Sequence, residues 1–223
     1  PEEDNFFGKF PESEPGPARL ENAMALDRLW QNSLLVASGY AAVWAKENTR
    51  AAIFDAIKRR EVYATTGSRI KVRFFSGWEF DETDIHRPAM LDIAYGTGVP
   101  MGGDLSQAKR GQVPKFLVIA GMDADGARLD RIQIIKGWMD KAGKLQEKVY
   151  DVAWSDDRKL DKRTGKLPAV GNTVDVENAT YLNTIGAPQL STYWEDPDFD
   201  RAERAFYYAR VLEIPTPRWT TYD

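Results

Sequence analysis

The chain has 223 residues, 43% hydrophobic and 29% charged, which suits one large domain or two small ones and excludes disorder throughout. Its 30 Lys+Arg against 34 Asp+Glu give a net charge of -4, so no global basic field exists to hold nucleic acid. Cysteine is absent and His86 is the only histidine, which removes disulfides, thiolate metal sites, a cysteine nucleophile and any site needing two histidines of this chain.

In chain order, positions 1–17 carry Pro1, Pro11, Pro15 and Pro17, which break any helix and predict a long loop. The opening Pro1-Glu2-Glu3-Asp4 has no initiator Met and no signal-peptide pattern, and is read as the start of a fragment. Positions 18–32 mix Leu20, Met24, Leu29 and Trp30 with charges at helical spacing. Ser38-Gly39 ends that pattern, positions 40–45 are short and aromatic, and Asn48-Thr49 is placed to cap a helix over 50–60. On that helix Ile53, Ala56 and Ile57 make one apolar face, and Lys58-Arg59-Arg60 sits where the helix dipole favours cations.

The period then changes. Positions 69–74 alternate, with Ile70, Val72 and Phe74 on one face and cations on the other, the pattern of a half-buried strand. A helix is expected near 89–95. Positions 116–120 read as a central strand, 122–126 as a turn with Gly126 at positive φ, and 131–138 as the hairpin partner. Positions 148–154 continue the meander with Tyr150, Val152 and Trp154 on one face, 156–166 form a solvated loop, and 173–176 a short strand. Positions 205–214 give a last strand with Phe206, Tyr208, Leu212 and Ile214 on one parity. No fixed-period repeat appears, and no apolar run approaches the ~20 residues of a membrane span.

The class expected is α+β: a helical part over 1–63 and an antiparallel β-sandwich of five to eight strands over 64–223. Its interior should hold Ile70, Val72, Phe74, Ile132, Ile134, Tyr150, Val152, Leu212 and Ile214.

Chemical signals are sparse. His86 stands in the acid-rich run Asp81 to Arg87, which reads as a solvated loop before it reads as a metal site. Asp123-Ala124-Asp125-Gly126 fails the calcium-loop pattern because the glycine comes one acid too early. The run from Gly96 to Leu105 lacks the Lys-Ser/Thr ending of a phosphate loop, and its glycines equally suit a close approach to another surface. The 7 Trp and 9 Tyr admit a carbohydrate-binding sandwich, although core packing is the default for Tyr150, Trp154 and Tyr208. Asn178-Ala179-Thr180 is a glycosylation sequon of high chance frequency.

Several stretches together carry a family resemblance: Glu3-Asp4-Asn5-Phe6-Phe7-Gly8-Lys9, the run from Gly39 to Phe75, Gly98-Val99-Pro100-Met101-Gly102-Gly103-Asp104, Tyr150-Asp151-Val152-Ala153-Trp154-Ser155-Asp156, Asn183-Thr184-Ile185-Gly186-Ala187 and Pro215-Thr216-Pro217-Arg218-Trp219. They resemble the C-terminal part of a large bacterial family of unknown function, itself similar to the polymerase-and-histidinol-phosphatase (PHP) metal-dependent hydrolases. The resemblance implies that the metal ligands precede Pro1, that no ligand falls on this chain, and that positions 1–63 are the last elements of a PHP-like barrel. It further implies that divalent metals belong to the intact enzyme, that this chain binds no cofactor, and that its partner is the upstream barrel portion. The resemblance also implies that Asn5, Phe6 and Lys9 follow the last metal-binding strand and line the substrate side.

The leading expectation is thus a C-terminal fragment of a hydrolase of phosphate or sulfate esters, inactive alone, soluble, and cytoplasmic or periplasmic. A ligand-binding or interaction sandwich, and a purely structural accessory domain, are the alternatives. Aromatics exposed on one flat face would favour the binding module.

Overall fold

The computed structural model describes residues 39–218 and residue 221. The proline-rich loop over 1–17 and the helix expected over 18–32 lie outside the described residues, as do Asn5, Phe6 and Lys9.

The first described unit is a strand pair with a helix in its connection. β1 (Tyr40–Val43) pairs antiparallel with β2 (Val62–Thr65), and α1 (Arg50–Lys58) fills the loop between them. Thr49 caps α1 as expected: its backbone is extended and its side chain accepts from the Ala52 N–H at 3.3 Å. The apolar face is narrower than predicted, because only Ala56 is buried while Phe54 and Ile57 are exposed. Among the described residues of 39–63 the architecture is an antiparallel pair, where a βαβ unit of a barrel would pair parallel strands. Trp44 ties this unit to the next by donating its indole N–H to the Val72 carbonyl at 2.8 Å.

The remainder is an antiparallel two-sheet structure, as expected. One sheet has the order β4 (Gly98–Pro100), β3 (Lys71–Gly77), β5 (Lys115–Gly121), β8 (Gln189–Glu195). The other has the order β7 (Leu145–Trp154), β6 (Leu129–Met139), β9 (Ala205–Glu213). Between them lies a core of Val72, Phe74, Phe116, Val118, Ala120, Leu129, Ile132, Ile134 and Leu190. The outer face of the four-stranded sheet is covered by α2 (Met90–Thr97) and the preceding turn, with Phe75, Phe80, Met90, Ala94 and Leu117 packed together. Burying such side chains stabilises by roughly 1.5–3 kcal/mol each, before conformational entropy is set against it.

Four sequence expectations are corrected. The strands β5 and β6 do not form a hairpin. The edges of β5 are taken by β3 and β8, and the turn after β5 carries the chain across to the second sheet. Gly126 therefore needs no positive φ; the real hairpin is β6–β7, turning at 140–144 with Gly143 at φ 78°. Next, Tyr150 opposes Ile134 but Ala153 opposes Ile132, so a bulge at the Ile132/Gln133 step puts Trp154 opposite Arg131 and off the Tyr150 face. Third, the inward parity of β9 is Tyr207, Ala209 and Val211. Phe206 and Tyr208 face outward and Leu212 opposes Arg131, while Ile214 returns to the core through the irregularity at Leu129/Arg131. Parity misleads there because two of the three rings of the strand, Phe206 and Tyr208, lie on the outer face. Last, 173–176 is no strand: it contributes one isolated bridge, Asp175 to Thr180.

Candidate functional site

At one end of the sandwich the two sheets gape. A cleft of about 980 Å³ opens between the end of β3, the loop after β4, the start of β5 and the segment entering β9. Its apolar walls include Phe74, Trp78, Met101, Phe116, Phe199 and Tyr207. Phe116 is the hub: its ring lies 5.5 Å from Phe74, 5.5 Å from Trp194 and 4.7 Å from Tyr207, centroid to centroid. Trp78 stands 6.1 Å from Phe199 and donates its indole N–H to Ser106 at 3.2 Å.

Three cations edge the cleft. Arg60 is held by Asp104 at 2.9 Å, whereas Arg201 and Arg204 make no ion pair with any described residue. Concave apolar walls with a few polar groups at the lip are the usual form of a small-molecule site. The glycine-rich run supplies one wall. Gly102 has φ 80°, and a Cβ there would lie 2.1 Å from the Arg60 carbonyl oxygen, so its glycine serves a close approach that also seats Arg60.

What fixes the segment holding Phe199 and Arg201 is a charge cluster behind the cleft. Lys136 lies on the inward parity of β6 with Ile132 and Ile134, and is buried. Its ammonium donates to Asp196 Oδ2 at 2.6 Å and to the Asp198 carbonyl at 2.7 Å. The Tyr207 hydroxyl donates to the same Asp196 oxygen at 2.6 Å, and the Asp198 N–H reaches Asp196 Oδ1 at 2.9 Å. Every charge is thereby met by hydrogen bonds, which a buried ion pair requires. At the solvent edge Asp198 Oδ2 accepts from Lys148 at 2.5 Å and from the Tyr150 hydroxyl at 2.6 Å. Those bonds, Lys148 first, hold the Asp198 carboxyl below its ordinary pKa. Burial first, then the neighbouring aspartates, raise the Tyr150 and Tyr207 phenols well above their ordinary value. Both tyrosines are hydrogen-bond donors at neutral pH.

A second recess of about 610 Å³ lies between α2, β3 and the two ends of the β1–β2 connection, at Trp44 to Lys46 and at Arg59 to Glu61. Arg73 stacks on Trp44, with its guanidinium carbon 3.6 Å from the ring centroid, and donates to the Tyr95 hydroxyl at 2.9 Å. Tyr95 donates to buried Glu61, which also accepts from Arg59 at 2.8 Å. Arg59, Glu61, Arg73 and Tyr95 are thus turned onto one another, so this recess reads as a joint between units.

His86 is exposed at the end of a short 3-10 turn, and Asp84 beside it is buried, accepting from the Asp81 N–H at 2.8 Å. Among the described residues no group of three or more His, Asp or Glu side chains could hold a metal ion. The described residues thus do not fit the metal centre of a PHP hydrolase. Among the described residues no helix is long and apolar enough to cross a membrane. Sequence reasoning passed over Lys136 and Asp196. A lysine on the inward parity of a central strand is the signal that could have found them, because such a charge needs a buried partner.

The family described as "Protein of unknown function (DUF3604)" matches residues 1–223, and the chain belongs to it. No curated protein and no solved structure matches the chain.

Proposed function

We propose that the chain is the C-terminal portion of a PHP-like metal-dependent hydrolase of phosphate or sulfate esters, in which the sandwich receives substrate and the upstream barrel carries the metals. Support for the hydrolase comes from the sequence resemblance over the whole chain, on which Asn5, Phe6 and Lys9 form the substrate-side loop. Support for a receiving role comes from one observation: Arg201 and Arg204 edge an aromatic cleft without a described carboxylate partner. A guanidinium presents paired N–H donors that match the oxygens of a sulfate or phosphate group, and the aromatic walls suit the organic part of the ester. A ligand-binding sandwich with no hydrolase partner is the second reading, and the same cleft favours it.

The test is calorimetric titration of the chain with 4-nitrophenyl sulfate and 4-nitrophenyl phosphate, together with turnover assays containing manganese, zinc or iron. Binding without turnover, weakened about tenfold in Arg201→Ala and Arg204→Ala, is the expected result. Metal-dependent turnover by this chain, lost in His86→Ala, would overturn the division of labour. Absence of binding would remove the cleft from function.

A further inference from the structure

The outer face of the three-stranded sheet is a second surface, distinct from the cleft. Cross-strand register orders its outward residues in rows. Glu147, Gly137 and Phe206 form one row, Val149, Ile135 and Tyr208 the next, and Asp151, Gln133 and Arg210 the third. Phe206 is 64% exposed and Tyr208 42%, yet Ile135 between the strands is buried. Their rings stand 6.4 Å apart, centroid to centroid, and within 12° of parallel. Phe206 reaches across onto β6: a Cβ on Gly137 would lie 2.3 Å from its ring tip. The glycine thus leaves room for the ring to rest over the sheet, and its partner ring on the same strand takes the same inclination.

Beside the rings runs a set of fixed polar groups. Arg210 Nε donates to Gln133 Oε1 at 2.9 Å, Gln133 Nε2 donates to Asp151 Oδ1 at 2.8 Å, and Arg131 pairs with Asp151 at 3.3 Å. Arg131 and Arg210 are balanced on this face by Asp151 and by the exposed Glu147 of the first row, so the face presents hydrogen-bonding groups with no net charge. An ionic ligand gains little there. A ligand that is neutral, has flat C–H faces for the rings and hydroxyls for the amide, guanidinium and carboxylate fits all three features.

We propose that this face is a carbohydrate-binding platform, with Phe206 and Tyr208 as the stacking rings and Arg210, Gln133 and Asp151 as the hydrogen-bonding edge, and that its ligand is a neutral saccharide chain. The platform stands independently of the cleft. Phe206 also reaches the cleft lip, but Tyr208 does not line it, so Tyr208 separates the two surfaces.

The experiment is affinity electrophoresis of the full chain in gels containing hydroxyethylcellulose, laminarin, xylan or amylose. Retardation by at least one polymer is expected, weakened about tenfold in Tyr208→Ala and in Phe206→Ala and kept in Phe206→Tyr. Tyr208→Ala should leave 4-nitrophenyl sulfate binding unchanged. No retardation by any of the four, or undiminished retardation in the doubly substituted Phe206→Ala/Tyr208→Ala chain, overturns the platform. Sedimentation that shows a dimer dissociated by the same pair of substitutions also overturns it, and would make the face a contact between copies.

Discussion

The two sheets share a core, but their outer faces are treated in opposite ways. On the four-stranded sheet, Phe75 and Leu117 are roofed by Phe80, Met90 and Ala94 of the turn and helix that follow β3. On the three-stranded sheet, Phe206 and Tyr208 are left in solvent with parallel rings, and a glycine is placed under one of them. Both faces carry large apolar residues in alternation, so alternation and hydrophobicity do not decide which face is core. The cover decides it, and the cover is supplied by chain far from the strands it protects.

The largest expected effect comes from the layer the two sheets share. Lys136→Ala leaves Asp196 buried without its cation and should destabilise by about 3–5 kcal/mol in denaturant titration. Lys136→Met, which removes the charge but keeps the packing, leaves the same carboxylate stranded and should be nearly as costly. A loss under 1 kcal/mol in both would mean that the pair does not hold the 196–201 segment.

The roofed and bare faces should then separate cleanly. Leu117 is fully buried, so Leu117→Ala should cost about 2–5 kcal/mol. Phe206→Ala removes a ring that is 64% exposed and should stay within about 1 kcal/mol of the parent. Comparable losses at the two positions would show that the outer face is covered after all. Gly137→Ala is subtler. Its Cβ meets only the far end of an exposed ring, so the melting temperature should barely move while the ring is displaced and saccharide retention falls.

The smallest effect expected is on pH dependence. Asp81, Asp123, Asp140, Asp161, Asp175, Asp198 and Asp200 are all held below their ordinary value of 3.8, by backbone N–H groups at most sites, by Asn178 at Asp175 and by Lys148 at Asp198. A depressed carboxyl contributes stability that is present above 3.8 and lost as pH falls through the folded-state value. Stability should therefore decline from about pH 4 downward. The raised Tyr150 and Tyr207 phenols work at the other limit: their contribution is whole below their ordinary pKa of 10.0 and is lost as pH rises beyond it. Spectrophotometric titration should show both phenols ionising only with unfolding.

Much of the fold was legible because periodicity reports half-burial directly. The strand at Val72 and Phe74, the run at 116–120, the Thr49 cap and the helix near 90 all follow from local pattern. Pairing was less legible. A turn-like Asp123-Ala124-Asp125-Gly126 between two strands suggested a hairpin, but nothing local tells whether the chain turns back or crosses to another sheet. The Asp123 carboxylate accepts from the Arg69 N–H at 2.6 Å, a tie across 54 residues that no window of sequence contains. The β9 parity was not legible because both parities carry aromatic or aliphatic residues, and what turns Tyr207 inward is its hydroxyl bond to Asp196 of the loop that follows β8. The cleft was legible only as separate glycines and aromatics, since its walls come from β3, β5, β9 and two loops that the topology brings together.

The cleft is the proposed landing place of an anionic ester, and the indole N–H signals of Trp78 and Trp44 report on the two recesses separately. An NMR titration of the nitrogen-15-labelled chain with 4-nitrophenyl sulfate should shift the Trp78 indole signal together with the amides of Met101 and Arg201, and leave Trp44 in place. Movement of Trp44 alone, or of neither indole at saturating ester, would contradict it.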